Sequence, residues 1–205
     1  MINKFSLDHQ SKNYLVISSD IESRYEIVIT KVSEYFDKSV EKILENPDVM
    51  YVSLPVIDKS GNIISTLSNY ELQMREYGLL DKLDTNRIGN EITIDQIREV
   101  ISFTQISAHK NKKIVILNSA SNMNKEASSA LLKTLEEVSS NCTFILLASS
   151  LTNIAETIKS RCQVLQYEQN FEMDKNSNFK DFFFSKHPFL RNIDPDYNIF
   201  SLQRA

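Results

Sequence analysis

The sequence predicts an α/β fold: a three-layer domain on a five-stranded parallel sheet, followed by a short irregular or helical C-terminal tail. Three observations predict it. Residues 113–118 and 144–149 are short runs that are apolar on successive positions, as strands covered on both faces require. Between them, Ala127, Ala130, Leu131, Leu135 and Val138 recur at helical steps, with Lys125, Glu126, Lys133, Glu136 and Glu137 on the other side. Further apolar runs near Tyr14, Val49 and Gln163 complete a sheet whose connections are right-handed crossovers.

Taken in order, residues 14–18 form the first strand, and Tyr25, Val28, Ile29, Val32, Phe36, Val40 and Ile43 form one helical stripe after it. Ser19 with Glu22 matches a capping box that starts this helix. Asn46-Pro47-Asp48 ends it, because the residue before proline is pushed out of helical geometry. Residues 49–54 are the second strand. Residues 55–90 are mixed, with a turn at Gly61-Asn62 and a short helix around 70–83, and carry no assigned chemistry. Thr93 with Gln96 makes another capping box, and Ile97, Val100, Ile101, Thr104 and Ala108 give the helix it starts a buried stripe. The basic turn 109–113 reads as solvated, with contact to nucleic acid or an acidic partner as the lesser alternative. Asn122 or Asn124 caps the central helix. Residues 151–159 hold one or two helical turns with Ile154 and Ile158 inward, and residues 164–167 are the last strand. Beyond Phe171 periodicity fades: 174–178 is a loop, 179–186 a short helix, and Pro188 and Pro195 break anything longer.

A chain of 205 residues buries a substantial core, and a net charge of −4 argues against a surface that grips nucleic acid everywhere, leaving room for a local basic patch. Cys142 and Cys162 have no metal-ligand spacing and no signal peptide upstream, so neither a disulfide nor a metal site is expected, and the setting is a reduced, cytoplasmic one. No apolar run reaches membrane-spanning length.

The stretch 123–137, then the strand 144–149, then Thr157-Ile158-Lys159-Ser160-Arg161-Cys162-Gln163, occur in an order and spacing that resemble the clamp-loader branch of the AAA+ ATPases. Within that branch they are most similar to the delta-prime subunits of bacterial DNA polymerase III. The likeness covers roughly 14–169. It implies an AAA+-like domain over 1–169, a remnant of a small helical domain over 170–205, and no collar domain. In an ATP-hydrolysing relative, the turn after the first strand would be a glycine-rich loop ending in Gly-Lys-Ser/Thr, since glycine lets backbone amides wrap phosphates and lysine supplies charge. Here it is Ser18-Ser19-Asp20-Ile21-Glu22-Ser23-Arg24, with neither glycine nor lysine. The strand at 113 would end in acids that hold magnesium; here it ends in Asn118-Ser119-Ala120-Ser121. Ser149, Ser150 and Asn153 lie where the family places a nucleotide-sensing polar residue, a role with little meaning without a phosphate loop.

Arg161 carries two readings. Spacing alone favours an arginine that caps a helix C-terminus. The resemblance implies instead an arginine finger that acts in trans on a neighbour's ATP, with Ser160 and Cys162 positioning it. On that likeness the expected function is a non-hydrolysing clamp-loader subunit, not an enzyme on its own, that helps load a sliding clamp on primed DNA. It would hold no cofactor. Its partners would be the ATPase subunits and the delta subunit, with the sliding clamp and DNA reached through the complex, and no membrane. The alternatives are a degenerate nucleotide-binding ATPase and a truncated scaffold paralogue.

Overall fold

A computed structural model of the chain describes residues 7, 13–76, 80, 82–83, 86–110, 112–137 and 141–167. The elements follow as β1 (Asn13–Ile17), α1 (Ile21–Phe36), β2 (Val49–Val52), β3 (Pro55–Ile57), β4 (Ile63–Thr66), α2 (Asn69–Glu76), β5 (Lys82–Leu83), β6 (Asn86–Ile88), α3 (Ile94–Gln105), β7 (Lys113–Asn118), α4 (Lys125–Glu137), β8 (Cys142–Ala148), α5 (Glu156–Lys159) and β9 (Cys162–Gln166). All of them lie in the compact unit Met1–Glu168. Val138, the expected tail helix and the expected boundary at 169 lie outside the described residues.

The main sheet has the order β2-β7-β8-β1-β9, and every pairing in it is parallel. The expected α/β class and all five of its strands are present. Strand residues alternate between two apolar layers because successive side chains point to opposite faces. Leu15, Val115, Leu117, Phe144 and Leu146 pack with Ile97 and Val100 of α3 and with Ala127, Leu131 and Leu135 of α4. Tyr14, Val16, Ile114, Ile116, Ile145 and Leu147 pack with Val28, Ile29, Val32 and Phe36 of α1. The sheet is thus the middle of three layers.

Three local expectations are corrected. The N-cap of α1 is Asp20, whose carboxylate accepts the Ser23 N–H at 3.0 Å, and not Ser19 with Glu22; the helix begins one residue later than that pairing requires. The long stripe after β1 is also broken. Asp37 adopts a left-handed conformation (φ 52°) that stops α1 at Phe36, and Val40–Glu45 forms a separate 3₁₀ helix with Ile43 buried and Val40 exposed. The third concerns the basic turn, whose lysines serve helix ends. Lys113 is buried, donates Nζ to the Phe103 carbonyl at 2.8 Å near the end of α3, and lies 4.0 Å over the Phe103 ring. Lys110 donates to the Phe36 carbonyl at the end of α1 at 3.2 Å, and Lys112 to the Leu7 carbonyl at 3.1 Å. The Phe36 and Phe103 carbonyls lie in the last turns of α1 and α3, where a cation also meets the negative end of the helix dipole.

Residues 55–90 hold a feature the sequence reading missed, a second sheet with the antiparallel order β4-β3-β6-β5. The turn at Gly61 (φ 90°) joins β3 to β4, with Asp58 accepting the N–H groups of Ser60 and Asn62 at 2.8 Å each. Helix α2 (Asn69–Glu76) overlaps the expected 70–83 window, of which 77–79 and 81 lie outside the described residues. Elsewhere Thr93 N–H donates to Gln96 Oε1 at 3.1 Å as expected, and Asn124 caps α4 by accepting the Ala127 N–H at 2.8 Å.

Candidate functional site

One group of side chains lies at the carboxyl ends of the parallel strands and a second at the amino end of β9. In the first, β1 ends and Ser18 keeps the ladder going by donating its N–H to the Ala148 carbonyl at 3.2 Å. The turn into α1 is then tied by its own side chains. Ser18 Oγ accepts the Asp20 N–H at 3.2 Å, and the Asp20 carboxylate accepts both the Ser23 N–H and the Ser23 hydroxyl. Arg24 is buried, at 1% exposure, and its guanidinium donates to the Ser18 carbonyl at 2.9 Å. This arginine was not singled out from the sequence, although the signal is there: residues 21, 24, 28 and 32 form one helical stripe, and all four are buried.

Strand β7 ends at Asn118, which is fully buried. Its Nδ2 donates to the Tyr51 hydroxyl at 3.2 Å and to Asn69 Oδ1 at 3.0 Å, while its Oδ1 accepts the Ser119 N–H at 3.0 Å. The amide thereby joins β2, α2 and β7. Burial pushes the Tyr51 phenol above its ordinary range, so it stays a neutral hydroxyl. Ser119 takes a left-handed conformation (φ 69°), which turns the chain away directly after the strand.

The second group is at the end of α5. Ser160 Oγ donates to the Thr157 carbonyl at 2.9 Å, so Ser160 holds the turn locally, as expected. Arg161 Nη1 donates to the same Thr157 carbonyl at 2.9 Å and to Ser160 Oγ at 3.2 Å. Its Nη2 is ion-paired with Glu136 in the last turn of α4. Arg161 therefore does make the helix-end contact that spacing alone suggested. Its side chain remains 35% exposed, and no described residue meets its Nε–H. Cys162 opens β9 opposite Asn13 and packs half-buried against the core, and burial pushes its thiol up to about 12. Glu136 was assigned only to the solvent side of α4, and periodicity within one helix holds no signal for a partner on another element.

Ser149 and Ser150 are exposed after β8. Among the described residues no group of three or more His, Cys, Asp or Glu side chains is placed to hold a metal ion, and no helix is long and apolar enough to cross a membrane. Cys142 and Cys162 are both free thiols.

The family model described as DNA polymerase III, delta subunit, matches residues 71–171. The DNA polymerase III subunit delta' of Haemophilus influenzae is 40% identical over 77 residues, covering 37% of this chain and 24% of that protein. Replication factor C subunit 5 of Neurospora crassa is 28% identical over 141 residues, covering 68% of this chain and 38% of that protein. The chain thus spans well under half the length of these curated relatives. Among solved structures, a DNA polymerase III gamma subunit-related protein from Thermotoga maritima superposes with a TM-score of 0.51 at 19% identity over 90% of this chain and 50% of that one, a likeness of fold. The central helix and the Ser-Arg-Cys turn fall within residues 71–171, and over that stretch the chain is similar to the delta-prime subunits of the clamp-loader family.

Proposed function

We propose that the chain acts as a clamp-loader subunit that does not hydrolyse ATP itself and that lends Arg161 to the ATP held by a neighbouring subunit. Residues 1–169 would be its AAA+-like domain and 170–205 a short tail, the remnant of a small helical domain. One observation carries the first half. The turn where a phosphate cradle would lie is closed by its own side chains, with Asp20 on Ser23 and Arg24 on the Ser18 carbonyl, and it holds neither the glycines nor the lysine that receive a phosphate. The end of β7 supports the same reading, because Asn118 is a neutral amide whose donors are spent on Tyr51 and Asn69. An amide in that place supplies no metal-binding carboxylate.

The second half rests on exposure and chemistry. Transfer of a γ-phosphoryl group spreads charge over its equatorial oxygens, and a guanidinium from a neighbouring chain stabilises that charge without belonging to the ATP-binding subunit. Arg161 sits at the surface of the described domain on a short, tied helix end, with its Nε–H unengaged by any described residue. Its partners in this reading are the ATPase subunits and the delta subunit, with clamp and primed DNA reached through them.

The test combines titration of the isolated chain with Mg-ATP and assay of the assembled loader. The expected results are no micromolar binding by the isolated chain, normal assembly of Arg161→Ala, and a several-fold or greater loss of DNA- and clamp-stimulated hydrolysis. Arg161→Lys should rescue little, since an ammonium lacks the planar fork. Micromolar ATP affinity would favour the degenerate ATPase. Failure of the wild-type chain to join the ATPase subunits would favour a scaffold paralogue. A fully active Arg161→Ala complex would leave Arg161 as a helix cap.

A further inference from the structure

From the geometry around Arg161 we infer that Glu136 is a positioning residue for it: the carboxylate on α4 fixes the direction in which the guanidinium on the α5–β9 turn points. This rests on the reading of Arg161 as a finger. The inference starts from a mismatch in α4. Its last turn carries Glu136 and Glu137 and no basic residue, although the carboxyl end of a helix is the negative end of its dipole. A carboxylate there is misplaced unless a cation meets it, and the cation comes from another element. Arg161 Nη2 pairs with Glu136, while Nη1 donates to the Thr157 carbonyl at 2.9 Å and to Ser160 Oγ at 3.2 Å.

Two helix ends therefore converge on one guanidinium. The contacts to Thr157 and Ser160 are local to the turn that carries Arg161, and they hold one nitrogen. A long side chain pinned at one nitrogen still swings about it. The Glu136 contact comes from α4, whose Leu131 and Leu135 are buried against the sheet, so it refers the guanidinium to the rigid core. Three of the five N–H groups of an arginine are then occupied, which leaves Nε–H and one Nη2–H for an incoming oxyanion. The pair itself is half in water, with side-chain exposures of 35% and 45%, and so does little for stability. Aim is the contribution it can make, because small errors in the placement of a charged group at a reacting phosphate cost large factors in rate.

The experiment uses the full chain with the ATPase and delta subunits and measures kcat and KM for ATP in the presence of clamp and primed DNA. Glu136→Ala is expected to lower kcat roughly threefold to tenfold with KM unchanged. Glu136→Gln should keep most of the rate, since its amide oxygen still accepts from Nη2. Arg161→Ala combined with Glu136→Ala should be no slower than Arg161→Ala alone, because without the guanidinium there is nothing to aim. A second arm uses the isolated chain labelled at arginine nitrogen. Rotation about the Arg161 Nε–Cζ bond should be slow in the wild type and faster in Glu136→Ala. Normal kcat in Glu136→Ala beside a depressed Arg161→Ala overturns this inference and leaves the finger standing. Normal activity in Arg161→Ala overturns the finger itself. Unchanged arginine rotation in Glu136→Ala overturns the positioning contact whether or not the complex assembles.

Discussion

Asp48 accepts the backbone N–H groups of His109 and Lys110 on its two carboxylate oxygens, each at 2.8 Å, and so binds the start of β2 to the loop that leads into β7. The carboxylate is almost fully buried, and its own N–H donates to Asn46 Oδ1 at 3.1 Å. These bonds set the loop from which Lys110 reaches the Phe36 carbonyl at the end of α1.

Asp48→Ala leaves two part-buried loop amides without this acceptor and should cost about 1–3 kcal/mol of stability in urea denaturation, hydrogen bonds to a charged group being worth more than neutral ones. Asp48→Asn should recover part of that, since one oxygen still accepts. Equal stability of the alanine variant and the wild type would mean that the loop holds itself.

The two faces of α4 should respond oppositely to truncation. Leu131 and Leu135 are 0% and 6% exposed and pack on the sheet, so either leucine to alanine should lose about 2–5 kcal/mol. Glu136→Ala breaks only a half-exposed ion pair and should cost less than about 1 kcal/mol. Thermal melts of the three variants check this, and losses of similar size would contradict the facing.

Restoring acids at the end of β7 should not restore chemistry. Asn118→Asp with Ser119→Glu supplies carboxylates, but the turn at 18–24 still lacks a phosphate cradle. The expected outcome is no turnover of Mg-ATP, together with a stability loss of about 1–3 kcal/mol, because Asn69 Oδ1 and the Tyr51 hydroxyl would lose the amide donor they now share. Measurable hydrolysis by this variant would show that phosphate is held somewhere else.

Burial pushes both thiols, Cys142 and Cys162, from an ordinary 9.0 up to about 12. Between those values the unfolded chain gives up a proton that the native chain keeps, so the native state loses ground as pH rises from about 9 to about 12. Below pH 9 both states hold the proton and the thiols make no difference. Denaturant midpoints should therefore be insensitive to the thiols up to about pH 8.5 and fall above it, with a shallower fall in a Cys142→Ala, Cys162→Ala double variant. An equally steep fall in both proteins would count against it.

What the sequence made legible follows the length of each pattern. The strands of the main sheet were readable because β7 and β8 are buried along their whole length, which calls for uninterrupted apolar runs. The small sheet was not. Its strands span two to four residues, shorter than any period can be recognised in, and β4 carries Ile63 and Ile64 facing solvent, against the usual rule. The basic turn differs for another reason: counting charge assigns lysines to water, whereas Lys112 and Lys113 are buried and donate to the Leu7 and Phe103 carbonyls. At the end of α5, the helix-end contact of Arg161 was legible through spacing, while its pairing with Glu136 depends on a contact between elements that only the fold creates.

The pairing of β1 also has a consequence for how the chain is made. Its neighbours are β8 and β9, and Tyr14 meets Ile145 about 130 positions further along. At about 5–20 residues per second, a nascent β1 waits on the order of ten seconds before its first partner leaves the ribosome. Until then the run Leu15-Val16-Ile17, buried in the finished protein, has no sheet to enter and is a segment that holding chaperones would recognise. Synthesis thus orders assembly: α1, the small sheet and α3 have emerged before β1 takes its place between β8 and β9.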